Sequence, residues 1–141
     1  MIKFEKIPAD IKQRLPSVVD ALEQDPRVIF AYLFGGAASG ELKPLSDIDV
    51  AVYLAGAERL AEVKLDLFEK LSDLFGTSEI DLVILNTAPT SLAGRVVQGR
   101  QVIVDKEPFR RHCYESLTLR EFFDFRNKEE ALFELRYGVG R

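Results

Sequence analysis

Residues 33–54, LFGGAASGELKPLSDIDVAVYL, constrain this chain more than any other stretch. An apolar run rich in β-formers, Val28 to Phe34, is stopped by Gly35-Gly36. Paired glycines let the backbone take positive φ and let a ligand come close without a Cβ in the way. They also leave successive N–H groups free to form a concavity that holds phosphate. A second strand then opens with Asp47-Ile48-Asp49-Val50-Ala51-Val52. Because side chains alternate along a strand, Asp47 and Asp49 project from one face, within reach of a shared cation. Like charges held that close cost stability unless a metal or base neutralises them. Carboxylate oxygens that share a cation with waters and a substrate phosphate suit Mg²⁺. The connecting GELKPLS is too short, and too broken by Pro44, for a long helix. Ser46 either orients the carboxylates by hydrogen bonding or simply starts the strand.

The rest of the chain supplies elements around this stretch. Ile11, Leu15, Val18, Val19 and Leu22 have helical spacing. Proline suits a first turn, so the main helix is expected from Pro16, with residues 8–14 a short turn of their own. Asp25-Pro26 ends it. Residues 57–75 carry a stripe of Leu60, Val63, Leu67, Leu71 and Leu74, closed by Gly76 as C-cap. Glu79 to Asn86 reads as a strand apolar on both faces and is expected to be central in its sheet. Asp81 is out of place there for packing: it is either desolvated at a cost or paired with something positive. A helix follows from Pro89 to about Gln98, capped by Thr87 or Thr90, then a strand at Gln101–Asp105. From Pro108 to about Tyr137 the chain reads as one long helix, apolar on more than one side and so buried both by its own domain and by a partner. The terminal YGVGR reads as a frayed end.

Composition excludes several classes. The 141 residues suffice for one domain with one core. No apolar run reaches membrane-spanning length and MIKFEKIPAD lacks the apolar stretch of a signal peptide, so a cytoplasmic protein is expected, with no membrane partner. The single Cys113 suits a reducing compartment. A net charge of −4 argues against a broad nucleic-acid footprint. Arg95, Arg100, Arg110, Arg111, Arg120 and Arg126 could form a local basic face, but solvation of a helix surface is the better account. His112 lacks the companions of a zinc or Cys–His site and is expected at the surface.

Gly35-Gly36, ten intervening residues and Asp47-Ile48-Asp49, with AYLFG before, SDIDVAV within and EIDLVILN after, resemble the nucleotidyltransferase signature of the DNA polymerase beta superfamily. Within it the chain looks most like the small MNT (minimal nucleotidyltransferase) antitoxins that pair with HEPN-domain ribonuclease toxins. The resemblance covers residues 16–130. It implies an α/β (α+β) nucleotidyltransferase fold: a small mixed β-sheet flanked by helices, with a long C-terminal helix, in a single domain 1–141.

The family pattern also has a third carboxylate on a neighbouring strand. Asp81 matches it; Glu79, two residues earlier on the same face, is the rival, standing at the strand entrance where charge is cheap. The implied site is Asp47, Asp49 and Asp81 as catalytic residues and metal ligands, with Gly35, Gly36, Ser39 and Ser46 against the nucleotide. Carboxylates on adjacent strands beside a glycine turn call for two Mg²⁺ ions and in-line displacement on a nucleoside triphosphate, with Asp81 a candidate to take the attacking hydroxyl's proton. The resemblance implies ATP as substrate, AMP transfer to a toxin tyrosine, and a HEPN toxin as partner; a homodimer stays open. Larger nucleotidyltransferases add a domain to hold the acceptor, so here the acceptor is expected on the partner, with residues 108–137 as the docking element.

One departure matters. Many MNT proteins carry Gly-Ser-x-x-Arg-Gly where this chain has Gly35-Gly36-Ala37-Ala38-Ser39-Gly40. A hydroxyl and a guanidinium that would make charge-assisted contacts to triphosphate are gone, and Ser39 offers a weaker contact. The alternative to an active transferase is thus an antitoxin that neutralises its toxin by binding alone. Adenylylation of a small molecule is a third reading, less favoured without an acceptor domain.

Overall fold

The β-forming run that opens the motif becomes the inner part of a four-stranded sheet. The computed structural model describes residues 11–36 and 47–137. In chain order these contain α1 (Ile11–Gln24), β1 (Val28–Phe34), β2 (Ile48–Leu54), α2 (Leu60–Phe75), β3 (Ile80–Ile84), α3 (Thr90–Gln98), β4 (Gln101–Asp105) and α4 (Pro108–Tyr137). The strand order is β3-β2-β1-β4. β1 runs antiparallel to both β2 and β4, whereas β2 and β3 are parallel and joined through α2, giving the expected mixed sheet.

Alternation along the strands divides the core in two. On one face Leu33, Val50, Val52, Ile80 and Leu82 meet Val18 and Leu22 of α1 and Leu67, Leu71 and Phe75 of α2. On the other, Phe30, Tyr32, Ala51 and Val83 meet Val96 and Val97 of α3, with Tyr114 and Leu119 of α4 packed against them. Fully burying side chains of this size is worth roughly 1.5–3 kcal/mol each, so the two helix layers hold the sheet.

Three expectations need correction. Among the described residues β3 is an edge strand, not a central one. Its apolar faces are explained by helices on both sides of the sheet, which bury an edge strand as thoroughly as a central one. α1 starts at Ile11 and runs through Pro16. The proline forfeits one intrahelical hydrogen bond, and the packing of Ile11 and Leu15 on the core keeps the preceding turn helical. Neither Thr87 nor Thr90 caps α3: Pro89 stands at the N-cap, with no side-chain capping bond. The Gly76 cap of α2 is as expected, left-handed at φ 74°, its N–H donating to the Ser72 carbonyl.

The long helix α4 is anchored only near its start. Glu115, Thr118 and Phe122 are buried, whereas Phe123, Phe125, Leu132, Phe133, Leu135 and Tyr137 are exposed, Leu135 to 84%. No described helix is long and apolar enough to cross a membrane. Of the expected frayed end YGVGR, Tyr137 still belongs to α4, and residues 138–141 lie outside the described residues.

Candidate active site

Antiparallel pairing to β1 and parallel pairing to β3 bring four chain segments to one edge of the sheet. β1 runs into Gly35 there, β2 and β3 begin there, and β4 begins opposite Leu33 at Gln101. Asp49 lies at the centre. It is half-buried and pairs with Phe34 on one side and with Asp81 on the other. Neighbouring strands lie about 4.8 Å apart, so these two carboxylates are adjacent on one face. Asp47, half-buried, lies two residues before Asp49, just ahead of β2.

Gly35 is required there twice over. Its φ is 62°, in the left-handed region that favours glycine, and a Cβ built on it would overlap the Asp49 carboxylate. The turn and the acid are therefore in direct apposition. Asp81 is exposed. Glu79, half-buried, sits at the entrance of β3, where its carbonyl accepts from the Ile48 N–H at 3.0 Å and its own N–H donates to the Thr77 hydroxyl at 3.1 Å. The register makes Asp81 the direct neighbour of Asp49 and leaves Glu79 one step outside. Ser39 and Ser46 lie outside the described residues, as do Ala37, Ala38 and Gly40.

The donor set is all carboxylate oxygen, which fits a hard cation such as Mg²⁺ and not a soft metal. Asp47, Asp49 and Asp81 could hold it. Among the described residues, no three Asp, Glu, His or Cys side chains converge closely enough in their present rotamers to enclose an ion. Outside β3, beyond Asp81, a cleft of about 410 Å³ opens between the starts of α2 and α3, walled by Leu60, Lys64, Ala88, Pro89 and Leu92.

With the glycine turn and the paired aspartates placed, the Polymerase beta, Nucleotidyltransferase family profile matches residues 17–109. The chain belongs to the polymerase beta nucleotidyltransferase family. No curated protein sequence matches it.

Among solved structures, the nucleotidyltransferase chain superposes on a toxin–antitoxin complex with AMP-PNP at a TM-score of 0.70 and 22% identity, covering 87% of this chain and 95% of that one. It is similarly close to the toxin–antitoxin MntA–HepT (TM-score 0.67, 22% identity, 87% and 96% covered). A third match is the tri-AMPylated Shewanella oneidensis HEPN toxin in complex with MNT antitoxin (TM-score 0.68, 21% identity, 87% and 95% covered). At such identities these likenesses establish the shared fold.

Two polar nodes of this nucleotidyltransferase escaped sequence reasoning. The first joins β1, β4 and α4. Buried Glu115 accepts from the Tyr32 hydroxyl at 2.6 Å and from Arg100 and Arg111, with Arg100 Nη2 and Arg111 Nη1 at 3.1 and 3.0 Å from Oε1. Burial alone would raise the Glu115 carboxyl, but the Arg100, Tyr32 and Arg111 hydrogen bonds outweigh it and hold it below the ordinary range. Burial, then the bond to Glu115, pushes the Tyr32 phenol well above its usual range. Arg111 also meets Asp105 at 3.1 Å.

The second node is at the other end of the sheet, where Arg27 and Lys70 grip Asp25 at 2.7 and 3.2 Å and hold its carboxyl well below the usual range. Only Arg111–Glu115, four residues apart on α4, and Asp25–Arg27 are local pairs; the contacts from Tyr32, Arg100 and Lys70 that complete the nodes join residues remote in the chain and left no signal in its spacing. Of the six arginines noted in the sequence, Arg100 and Arg111 are held by Glu115, Arg110 stacks 5.2 Å from the Tyr53 ring centre and Arg126 on Phe122, while Arg95, bonded to the Ser91 carbonyl, and Arg120 are exposed. His112 and Cys113 are exposed.

Proposed function

We propose that this chain is the nucleotidyltransferase antitoxin of a toxin–antitoxin pair, transferring AMP from ATP to a tyrosine hydroxyl of a HEPN-domain toxin and so silencing it. The observation that carries the reading is the pairing of Asp49 with Asp81 beside the Gly35 turn. The likeness to an AMPylated HEPN toxin complex supports the choice of acceptor, and the complex with AMP-PNP supports an adenine nucleotide.

Each residue has a role in this reading. Gly35 and Gly36 present backbone to the triphosphate, with Ser39 and Ser46 as further contacts from the connecting segment. Asp47, Asp49 and Asp81 would hold two Mg²⁺ ions, which when bound neutralise the carboxylates and polarise the phosphate under attack. Asp81 takes the proton of the attacking hydroxyl, a role its exposure permits. The exposed apolar side chains of α4 beyond Phe122 form the surface assigned to the toxin.

Binding without catalysis is the second reading, favoured by one observation: Gly35-Gly36-Ala37-Ala38-Ser39-Gly40 lacks the serine and arginine of many MNT loops. Incubation of the purified chain with ATP, Mg²⁺ and a HEPN-domain toxin, read by intact mass, separates the two. Transfer predicts a toxin heavier by one or more AMP units, lost with Asp47→Asn. An unmodified toxin in a tight complex would refute transfer and leave neutralisation by contact.

A further inference from the structure

We infer that Arg100 is an anion-binding residue of the active edge, the free side of its guanidinium receiving the terminal phosphates of a bound nucleoside triphosphate; this rests on the transferase reading. Strand register places it. Asp49 pairs with Phe34 on one side and Asp81 on the other, so these three side chains share one sheet face. Across β1, Leu33 pairs with Gln101, and the next step of that antiparallel register sets Arg100 beside Phe34. The contacts of Arg100 agree. Its guanidinium carbon lies 6.0 Å from the centre of the Tyr32 ring, and Tyr32 stands two residues before Phe34 on the same face. The edge thus carries Asp81, Asp49, Phe34 and Arg100 in a row, with carboxylates toward β3, a cation toward β4, and the Gly35 turn following Phe34 between them. Two strand spacings, about 10 Å, separate the Asp49 and Arg100 backbones.

The ion pair with Glu115 leaves part of this guanidinium to spare. Nε and Nη2 donate to the two Glu115 oxygens, Nη2 at 3.1 Å from Oε1. Such side-on pairing turns Nη1 away from the carboxylate, and no bond joins Nη1 to another of the described residues. The Arg100 side chain is 33% exposed, so that side is open to solvent. Arg111 differs, since it is nearly buried and engaged by both Glu115 and Asp105. Glu115, fixed in turn by the Tyr32 hydroxyl, is a positioning residue: it holds the planar fork in one orientation, so little freedom is lost when an anion binds. Carboxylates at the β3 end repel a polyanion, and Arg100 sets the opposite charge at the other end of the row. In the transfer the acceptor oxygen bonds the α-phosphorus and gives its proton to Asp81, while the bond from that phosphorus to the β-phosphate oxygen breaks. Pyrophosphate leaves with the electron pair, and its added negative charge develops on the side of Arg100.

Calorimetric titration of the full chain with AMP-PNP and with AMP, each with Mg²⁺, tests the assignment. Arg100→Gln is expected to weaken AMP-PNP about tenfold, the loss of a charge-assisted hydrogen bond, and to leave AMP, which has no terminal phosphates, unchanged. Arg100→Lys keeps the charge without the fork and is expected to show a smaller loss, again for AMP-PNP alone; it carries the test if the glutamine variant does not fold. AMP-PNP bound as tightly by Arg100→Gln as by wild type overturns the assignment and leaves the transferase standing. An equal loss for both nucleotides also overturns it, because Arg100 would then act only through the fold. A wild-type chain that binds neither nucleotide overturns the transferase reading and this assignment with it.

Discussion

Replacing Glu115 by Gln isolates the node that fastens α4 to the sheet. Glu115 is 8% exposed and receives the Tyr32 hydroxyl, itself on a fully buried residue, together with two guanidinium groups. Gln keeps an acceptor for Tyr32 but removes the charge that two arginines face. Breaking a buried ion pair from one side costs about 3–5 kcal/mol. Here the cost is reduced, because the Arg100 side chain is 33% exposed and can turn to water, while Arg111 keeps Asp105. A loss of about 2–3 kcal/mol remains, or a Tm roughly 6–12 °C lower for a chain of this size.

The pH dependence provides a second check. The folded Glu115 carboxyl lies below its ordinary 4.5, so its stabilisation is fully present above that value and is lost as pH falls through the lower, folded value. The gap between wild type and Glu115→Gln should therefore be constant near neutrality and close only below the usual carboxylate range. Thermal melts at a series of pH values measure both. A Tm within about 2 °C of wild type at neutral pH, or a gap that closes between pH 6 and 5, would refute the reasoning.

Two further substitutions examine close contacts. A Cβ at Gly94 would overlap the Phe122 ring, so Gly94→Ala should cost about 1–2 kcal/mol, an overpacking penalty partly offset by better helix propensity; urea titration measures it, and Phe122→Leu in the same chain should recover part of the loss. At Gly35 the Cβ meets both the left-handed φ and the Asp49 carboxylate. Gly35→Ala should lower stability by only about 1–2 kcal/mol yet reduce AMP transfer about a hundredfold through the displaced acid, which melts and single-turnover transfer would resolve.

The legible parts of this molecule were those whose signal is local. The β-branched and aromatic run stopped by Gly35-Gly36 becomes β1, the leucine stripe ending at Gly76 becomes α2, and Gln101–Asp105 and Pro108–Tyr137 are the elements they appear to be in sequence. Period two predicted Asp47 and Asp49 on one face; Asp49 stands in β2 opposite Asp81, and Asp47 just ahead of the strand. The position of β3 was not legible. Residues apolar on both faces report burial, and burial by helices above and below looks the same at an edge as in the middle; only the crossover through α2 decides that β3 lies outside β2.

That position bears on function as well as topology. An edge position gives Asp81 an open side, which a central strand would have closed with another strand, and the cleft occupies that open side. The third carboxylate can then face a group brought by another molecule while its neighbour Asp49 stays half-buried against the glycine turn. The edge position of β3 is therefore what leaves Asp81 accessible to a group brought by another molecule, where a central position would have covered it.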